Sequence, residues 1–347
     1  MGHTITINKS ADSTVTETKS VPFGTVPTTH MFMASYKDGA WQDSRIVPFH
    51  DLVLSPLALC LHYGQTVFEG MKAFVMNTGK INIFRMQKHH DRFNKSLHRM
   101  CMPAVPEDLF YGAISELVRA DSDWVPADGS LYIRPFMIAN EGRIGVKIAD
   151  EYLFMVVCSP AYQYYTQPLR VKVETKYVRA AEGGTGTAKC GGNYGGAFYP
   201  TNLAKEQGFD QVLWTDAATH EFIEESGTMN AMFVIDNVLI TPALSGSILD
   251  GVTRDSLIAI ANDKGIKLEV RPIRYSELIA AFDAGKRVEA FGAGTAAVVA
   301  PIAVISMNGV NYDCYTGEDA IMYRLRNYLL GIRKGDEPDT HGWNHII

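Results

Sequence analysis

The chain has 347 residues and a formal net charge of −6, with 46% hydrophobic and 20% charged residues. That balance suits a globular protein with a sizeable core, long enough for two domains, and it disfavours nucleic-acid binding and anionic membrane surfaces. No apolar run approaches the ~20 residues of a membrane span, and the first twenty residues lack a signal-peptide core, so a cytoplasmic protein binding neither nucleic acid nor membrane is expected.

The five cysteines (Cys60, Cys101, Cys158, Cys190 and Cys314) are scattered and never form a C-x-x-C pair, which suits reduced thiols. His89 and His90 are adjacent rather than i,i+4, so no metal site is expected.

In chain order, "KINIFRM" (80–86) reads as a strand and "QKHHDRFNKSLHRM" (87–100) as a helix that stops before Pro103. "EDLFYGAISELVRA" (107–120) puts Phe110, Ile114, Leu117 and Val118 on one helical face. Segments 130–139 and 151–159 read as strands rich in aromatic and branched residues. This makes an α+β N-terminal domain over 1–159. "PAYQYYTQP" (160–168) has no period and reads as a linker to a second domain over 169–347. There, strands are predicted at "LRVKVETK" and at 211–216, 230–237 and 267–273, with helices at 254–265, 275–285 and 318–333. "IDN" between "AMFV" and "VLITP" is a hairpin signal, which argues for antiparallel pairing.

Half of the residues in "GGTGTAKCGGNYGG" (183–196) are glycine, around a single Lys189. Glycine is entropically costly, so the cluster points to close backbone approach or positive φ. A P-loop is excluded, because Lys189 follows Ala188 and precedes Cys190. A dinucleotide fingerprint fails as well, since Gly184-Thr185-Gly186 is followed three residues later by lysine. A desolvated amine can lose its proton and form a Schiff base with pyridoxal phosphate (PLP). Such chemistry also needs a carboxylate at the pyridine nitrogen and N–H groups for the phosphate. "EESGTMN" (224–230), "LDGVTRDSL" (249–257) and "FGAGTAA" (291–297) offer both.

Together with "YGQTVFEGMKAF" and "KCGGNYGG", these segments in this order resemble branched-chain aminotransferases, fold-type-IV PLP enzymes, over nearly the whole chain. The resemblance implies a two-domain fold: a smaller N-terminal α/β domain, and a larger C-terminal domain with a barrel-like sheet. It also implies a homodimer. It places the Schiff-base lysine on Lys189, the tyrosine at the PLP hydroxyl on Tyr194, and the pyridine-nitrogen glutamate on Glu225 rather than Glu224. Phosphate contacts fall on Arg92, Val252, Thr253 and Thr295. Thr228 falls beside the cofactor, while Phe23, Tyr63, Phe68, Tyr132, Arg134, Thr295 and Ala296 fall on the substrate side. The implied reaction is ping-pong amino transfer from leucine, isoleucine or valine to 2-oxoglutarate. A D-amino-acid aminotransferase or an aminodeoxychorismate lyase, on the same fold, is the alternative. Vertebrate members carry a C-x-x-C pair where this chain has Ala297 and Ala300, so thiol switching there is not expected.

Overall fold

The computed structural model of the chain describes residues 2–10, 19 and 21–347. The opening strands are β1 (Thr6–Ile7), β2 (His30–Lys37) and β3 (Ala40–Pro48), followed by helix α1 (Leu59–Tyr63). Next come β4 (Thr66–Phe68), β5 (Met71–Val75), β6 (Ile81–Phe84), α2 (Met86–Arg99) and α3 (Glu107–Ala120). After β7 (Ser130–Ala139), β8 (Tyr152–Ala161) and β9 (Leu169–Glu174) comes α4 (Gly192–Glu206). Then follow β10 (Gln211–Thr215), β11 (Ile223–Ser226), β12 (Met229–Ile235), β13 (Val238–Thr241), α5 (Val252–Asp263) and β14 (Leu268–Val270). The chain finishes with α6 (Tyr275–Asp283), β15 (Val288–Gly294), β16 (Val298–Met307), β17 (Val310–Asp313), α7 (Ile321–Lys334) and β18 (Asn344–Ile346).

Two compact units contain these elements: Met1–Tyr164 with Ala188–Gly192 and Ile332–Ile347, and Tyr165–Thr187 with Asn193–Gly331. The first unit holds a mixed sheet in the order β1-β3-β2-β8-β7-β5-β6-β18, with β4 paired to β7. Helices α2 and α3 contribute Phe93, Leu97, Phe110, Ile114, Leu117 and Val118 to its core, all fully buried. The apolar period expected of 107–120 therefore faces inward. Two of this unit's pieces come from far along the chain. Val67 bridges Cys190 in antiparallel fashion, the N–H of Phe68 donates to the carbonyl of Lys189 at 3.0 Å, and β18 pairs with β6. A single cut at 160–168 leaves both pieces with the second half, because sequence adjacency carries no information about such returns.

In the second unit the sheet runs β11-β10-β9-β16-β15-β12-β13-β14, and an additional β11–β12 pairing closes its first six strands into a barrel. Closure removes the edges that would otherwise expose unpaired backbone. The expected hairpin is β12–β13, with Ile235 opposite Val238. Its two turn residues, Asp236 and Asn237, have φ of 48° and 67°, the left-handed pair that a tight hairpin turn requires. A second tight turn, at Gly227 and Thr228, joins β11 to β12 with Ser226 opposite Met229. Gly227 sits at φ 56°, where glycine is the easiest residue to place.

Helix α4 is absent from the sequence reading. Gly192, Gly195 and Gly196 lie inside it, and glycine is among the poorest helix formers. The glycines of 183–196 divide accordingly: some take helical backbone, and Gly186 is a close approach, where an added Cβ would sit 2.6 Å from the carbonyl oxygen of Ser247.

Candidate active site

In the first unit the lysine segment is fixed by its backbone. The N–H of Lys189 donates to Ser96 Oγ at 2.9 Å, and that hydroxyl donates to the carbonyl of Arg92 at 2.9 Å. Arg92 and Ser96 are i and i+4 on α2, hence on one helical face. Lys189 Nζ lies 4.7 Å from the centre of the Phe68 ring.

Arg92 is itself held. Glu69, fully buried, accepts from Arg92 Nε at 2.6 Å and Nη2 at 2.8 Å, a two-pronged charge-assisted clamp. Its Oε2 also meets Nδ1 of His89 at 2.7 Å. Burial alone would raise the Glu69 carboxyl, yet Arg92 and His89 hold it well below the usual carboxylate range. Burial, by contrast, keeps His89 below its ordinary value despite that carboxylate.

Four residues expected on the substrate side also meet in this unit. Arg134 lies 4.7 Å from the Phe68 ring centre and 5.3 Å from that of Tyr132, and its Nη2 donates to the Tyr132 hydroxyl at 2.9 Å. Phe23 packs edge-on against Tyr132, with centroids 5.0 Å apart. Tyr63 is set elsewhere: at the C-terminal end of α1, half exposed, its hydroxyl donating to the carbonyl of Ile144.

The second unit carries the remaining residues. Glu225 Oε1 accepts the N–H of Leu249 at 2.7 Å, and Oε2 lies 3.2 Å from Arg179 Nε. That Nε–H is not aligned for a hydrogen bond, so the contact is an ion pair. Arg179 Nη2 donates to the carbonyls of Gly186, at 3.2 Å, and Ser247, which fixes the guanidinium beside Glu225. Glu224, on the opposite side of β11, takes the hydroxyl of Ser247 instead, as alternation along a strand requires.

Helix α5 begins at Val252, two residues before the expected start, with Gly251 as N-cap and no side-chain cap. Val252 and Thr253 thus occupy the first helical positions, where backbone N–H groups lack intrahelical partners, and both side chains are buried. Thr253 is not the cap. Thr295 and Ala296 lie in the turn between β15 and β16, where Gly294 pairs with Val298. Val298 takes φ 64°, uncommon for a β-branched residue and a local store of strain. Tyr194 is half buried in the first turn of α4, and Thr228 is exposed at the tip of its turn.

Three residues with clear roles escaped sequence reasoning: Ser96, Glu69 and Arg179. Glu69 stood inside a quoted motif, but nothing in the pattern said that it would clamp Arg92. The cysteine next to the lysine, Cys190, is buried; burial also lifts the Cys158 thiol well above its ordinary value and the Cys314 thiol to about 12.

The pattern of the amino-transferase class IV family matches residues 66–305. The Branched-chain-amino-acid aminotransferase 2 of Bacillus subtilis is 42% identical over 328 residues, 92% of this chain and 90% of that protein. The Branched-chain-amino-acid transaminase 1 of the same organism is 44% identical over 332 residues, 93% of each chain. Among solved structures, the branched-chain aminotransferase of Thermoproteus uzoniensis with norvaline superposes with a TM-score of 0.74 at 27% identity, covering 91% of this chain and 99% of that one. A branched-chain amino acid aminotransferase from Escherichia coli gives 0.74 at 25% identity, covering 91% and 98%. None of these relatives carries the name of a D-amino-acid aminotransferase or a lyase, so the alternative reading falls away. On matches of this length and identity, the chain belongs to the class IV amino-transferases and, within them, to the branched-chain-amino-acid aminotransferases.

Proposed function

We propose that this protein transfers the amino group of leucine, isoleucine or valine to 2-oxoglutarate with PLP as cofactor, yielding branched-chain 2-oxo acids and glutamate. The observation that carries the reading is the Arg92–Ser96 face of α2. It fixes the peptide of Lys189 and presents a guanidinium clamped by Glu69. The residues present fit the cofactor's parts: an amine, an acid paired with arginine, and an uncapped helix start that suits a dianion.

PLP, when bound, supplies the carbonyl that accepts the amino group and a ring that draws electrons from the substrate Cα. Lys189 Nζ holds the cofactor and afterwards moves the proton at that Cα. Glu225, oriented by Arg179 and the Leu249 N–H, keeps a proton on the ring nitrogen. Arg92, the N–H groups of Val252 and Thr253, and Thr295 hold the phosphate; Tyr194 serves the ring hydroxyl, with Thr228 nearby. Phe23, Phe68 and Tyr132 wall an aliphatic side chain away from water, and Arg134 with the Thr295-Ala296 turn takes carboxylates. Tyr63 belongs to the pocket through the family resemblance alone.

A purified sample should show a visible absorption band, and borohydride should fix the label on Lys189. It should turn over L-leucine with 2-oxoglutarate. Turnover of D-alanine without turnover of L-leucine would sink the reading.

A homodimer is part of the proposal. Segments 53–63 and 141–148 are tied together by Leu59 N–H to Glu141 O and Arg143 N–H to Leu57 O. Together they expose Val53, Leu61, Ile144, Val146 and Ile148, with Val53 fully exposed. Apolar exposure concentrated on two joined segments supports an interface there, and a monomer in sedimentation at micromolar concentration would refute it. No helix among the described residues is long and apolar enough to cross a membrane. A cytoplasmic location is proposed and is checked by cell fractionation.

A further inference from the structure

Behind the acidic pair, the second unit carries a cleft of about 500 Å³, on the face of β11 turned away from Glu225. Small-molecule sites span roughly 300–1,000 Å³. Most of its wall is apolar, with Phe222, Ile223, Pro242 and Ile248 among the lining residues. Its charged groups are all of one sign: Glu182, Asp216 and Glu224 line it, with no lysine, arginine or histidine.

Two of these carboxylates are committed to the backbone. Asp216 accepts the N–H groups of Thr219 at 2.7 Å and of Glu221 and Phe222 at 2.9 Å each. Glu182 accepts that of Gly246 at 2.8 Å. Glu224 differs. The residue is 7% exposed, its Oε1 takes the Ser247 hydroxyl, and its Oε2 is buried without a hydrogen-bond partner among the described residues. A buried carboxylate oxygen without a donor is an unmet demand. Burial pushes the Glu224 carboxyl up by more than the Ser247 hydroxyl and the charge of Arg179 bring it down.

We propose that this cleft is a second small-molecule site, taking a cationic ligand that has an N–H donor on an apolar body and directing that donor to Glu224 Oε2. Protonated amines and amidines have this chemistry. Free amino acids do not suit it, because no cationic side chain lines the cleft to receive their carboxylate. The site also touches the machinery in front of it. Ser247 gives its hydroxyl to Glu224 and its carbonyl to Arg179, the partner of Glu225. An occupant is therefore one residue away from the group that orients Glu225.

The test uses the full-length holoenzyme and N,N-dimethylphenethylamine, cationic at neutral pH. As a tertiary amine it has one N–H donor and cannot condense with a carbonyl cofactor. Calorimetric titration should give one saturable site per chain. Affinity should fall at least about tenfold with the neutral N,N-dimethyl-2-phenylacetamide, with Glu224→Gln, and with Ala217→Trp, which fills the mouth of the cleft. Absence of saturable binding, or affinity unchanged in both variants, would overturn the proposal. Should Glu224→Gln fail to fold, Ala217→Trp decides alone.

Discussion

The Oγ of Ser96 accepts the N–H of Lys189 while donating to the carbonyl of Arg92, both at 2.9 Å. One hydroxyl thus ties the peptide of Lys189, the proposed Schiff-base lysine, to the helix turn that carries Arg92, the proposed phosphate ligand. Ser96→Ala leaves the lysine N–H without its acceptor, at a cost of roughly 1–3 kcal/mol in stability. Turnover of leucine should fall about tenfold, because an amine displaced by a fraction of an ångström meets its proton poorly. Lys189→Ala should abolish turnover. Urea unfolding and initial rates measure the two effects; a Ser96→Ala enzyme with full activity would remove Ser96 from the positioning set.

Glu225 and Glu224 are neighbours with different company, an arginine for one and a serine for the other. Glu225→Gln should lower kcat by about two orders of magnitude or more, since an amide cannot hold a ring proton. Glu224→Gln should be mild. Arg179→Met should resemble Glu225→Gln in direction, because it loosens Glu225 and leaves it buried without its cation. Kinetics with Glu224 as the more sensitive position would reverse the assignment.

Acid should unfold the first unit in two stages. His89 has a folded pKa below its ordinary value of 6.5, so below that pH the unfolded chain takes up the proton first and stability declines. Glu69 has a folded pKa below its ordinary value of 4.5. Its contribution is present above that pH and is lost as pH falls further. Glu69→Gln, which breaks a buried pair, should cost on the order of 3–5 kcal/mol at neutral pH and flatten the lower stage. Chemical denaturation across pH 3–8 would show it, and an unchanged lower stage would count against Glu69 as its source.

Lys72 gives a slope of the same sign on the alkaline side. Burial, and then Arg333, bring its pKa down from 10.5 to about 7. Between those values the unfolded chain binds the extra proton, so stability rises with pH by up to about 1.4 kcal/mol per unit. Lys72→Met should remove this rise and should stabilise the protein at pH 7. A variant whose stability still climbs above pH 7 would show that another group is responsible.

Arg134 is the proposed donor for dual substrate recognition. Its Nε is buried without a partner among the described residues, while Nη2 is engaged by Tyr132. A γ-carboxylate entering an aromatic pocket needs such a donor. Arg134→Gln should raise KM for glutamate and 2-oxoglutarate about tenfold more than KM for leucine. Equal rises would instead assign Arg134 to the α-carboxylate common to every substrate.

Local signals were legible where one interaction dominates. Asp236-Asn237 announced a hairpin because few residues accept two consecutive left-handed conformations, and 107–120 announced a helix because its apolar period is clean. The candidate site residues could be named because five short segments keep their order. What stayed hidden depends on distant company. Ser96, Glu69 and Arg179 are single polar residues without a pattern, and their roles exist only once Lys189, Arg92 and Glu225 are brought beside them. Helix α4 stayed hidden because its glycines speak against it; why the tertiary setting prefers helix there has no account in its own sequence.

The two late returns of chain into the first unit bear on its synthesis. The N–H of Ile347 donates to the carbonyl of Ile81, and Asn344–Ile346 lies along Ile81–Phe84. As the polypeptide leaves the ribosome, β6 waits with an open edge while more than two hundred further residues are made. Domains ordinarily settle in order of emergence; here the first-made unit is the last to finish. A nascent chain arrested short of residue 344 presents that edge to chaperones or to its neighbours, so the bacterial or cell-free host's handling of stalled product becomes part of the yield.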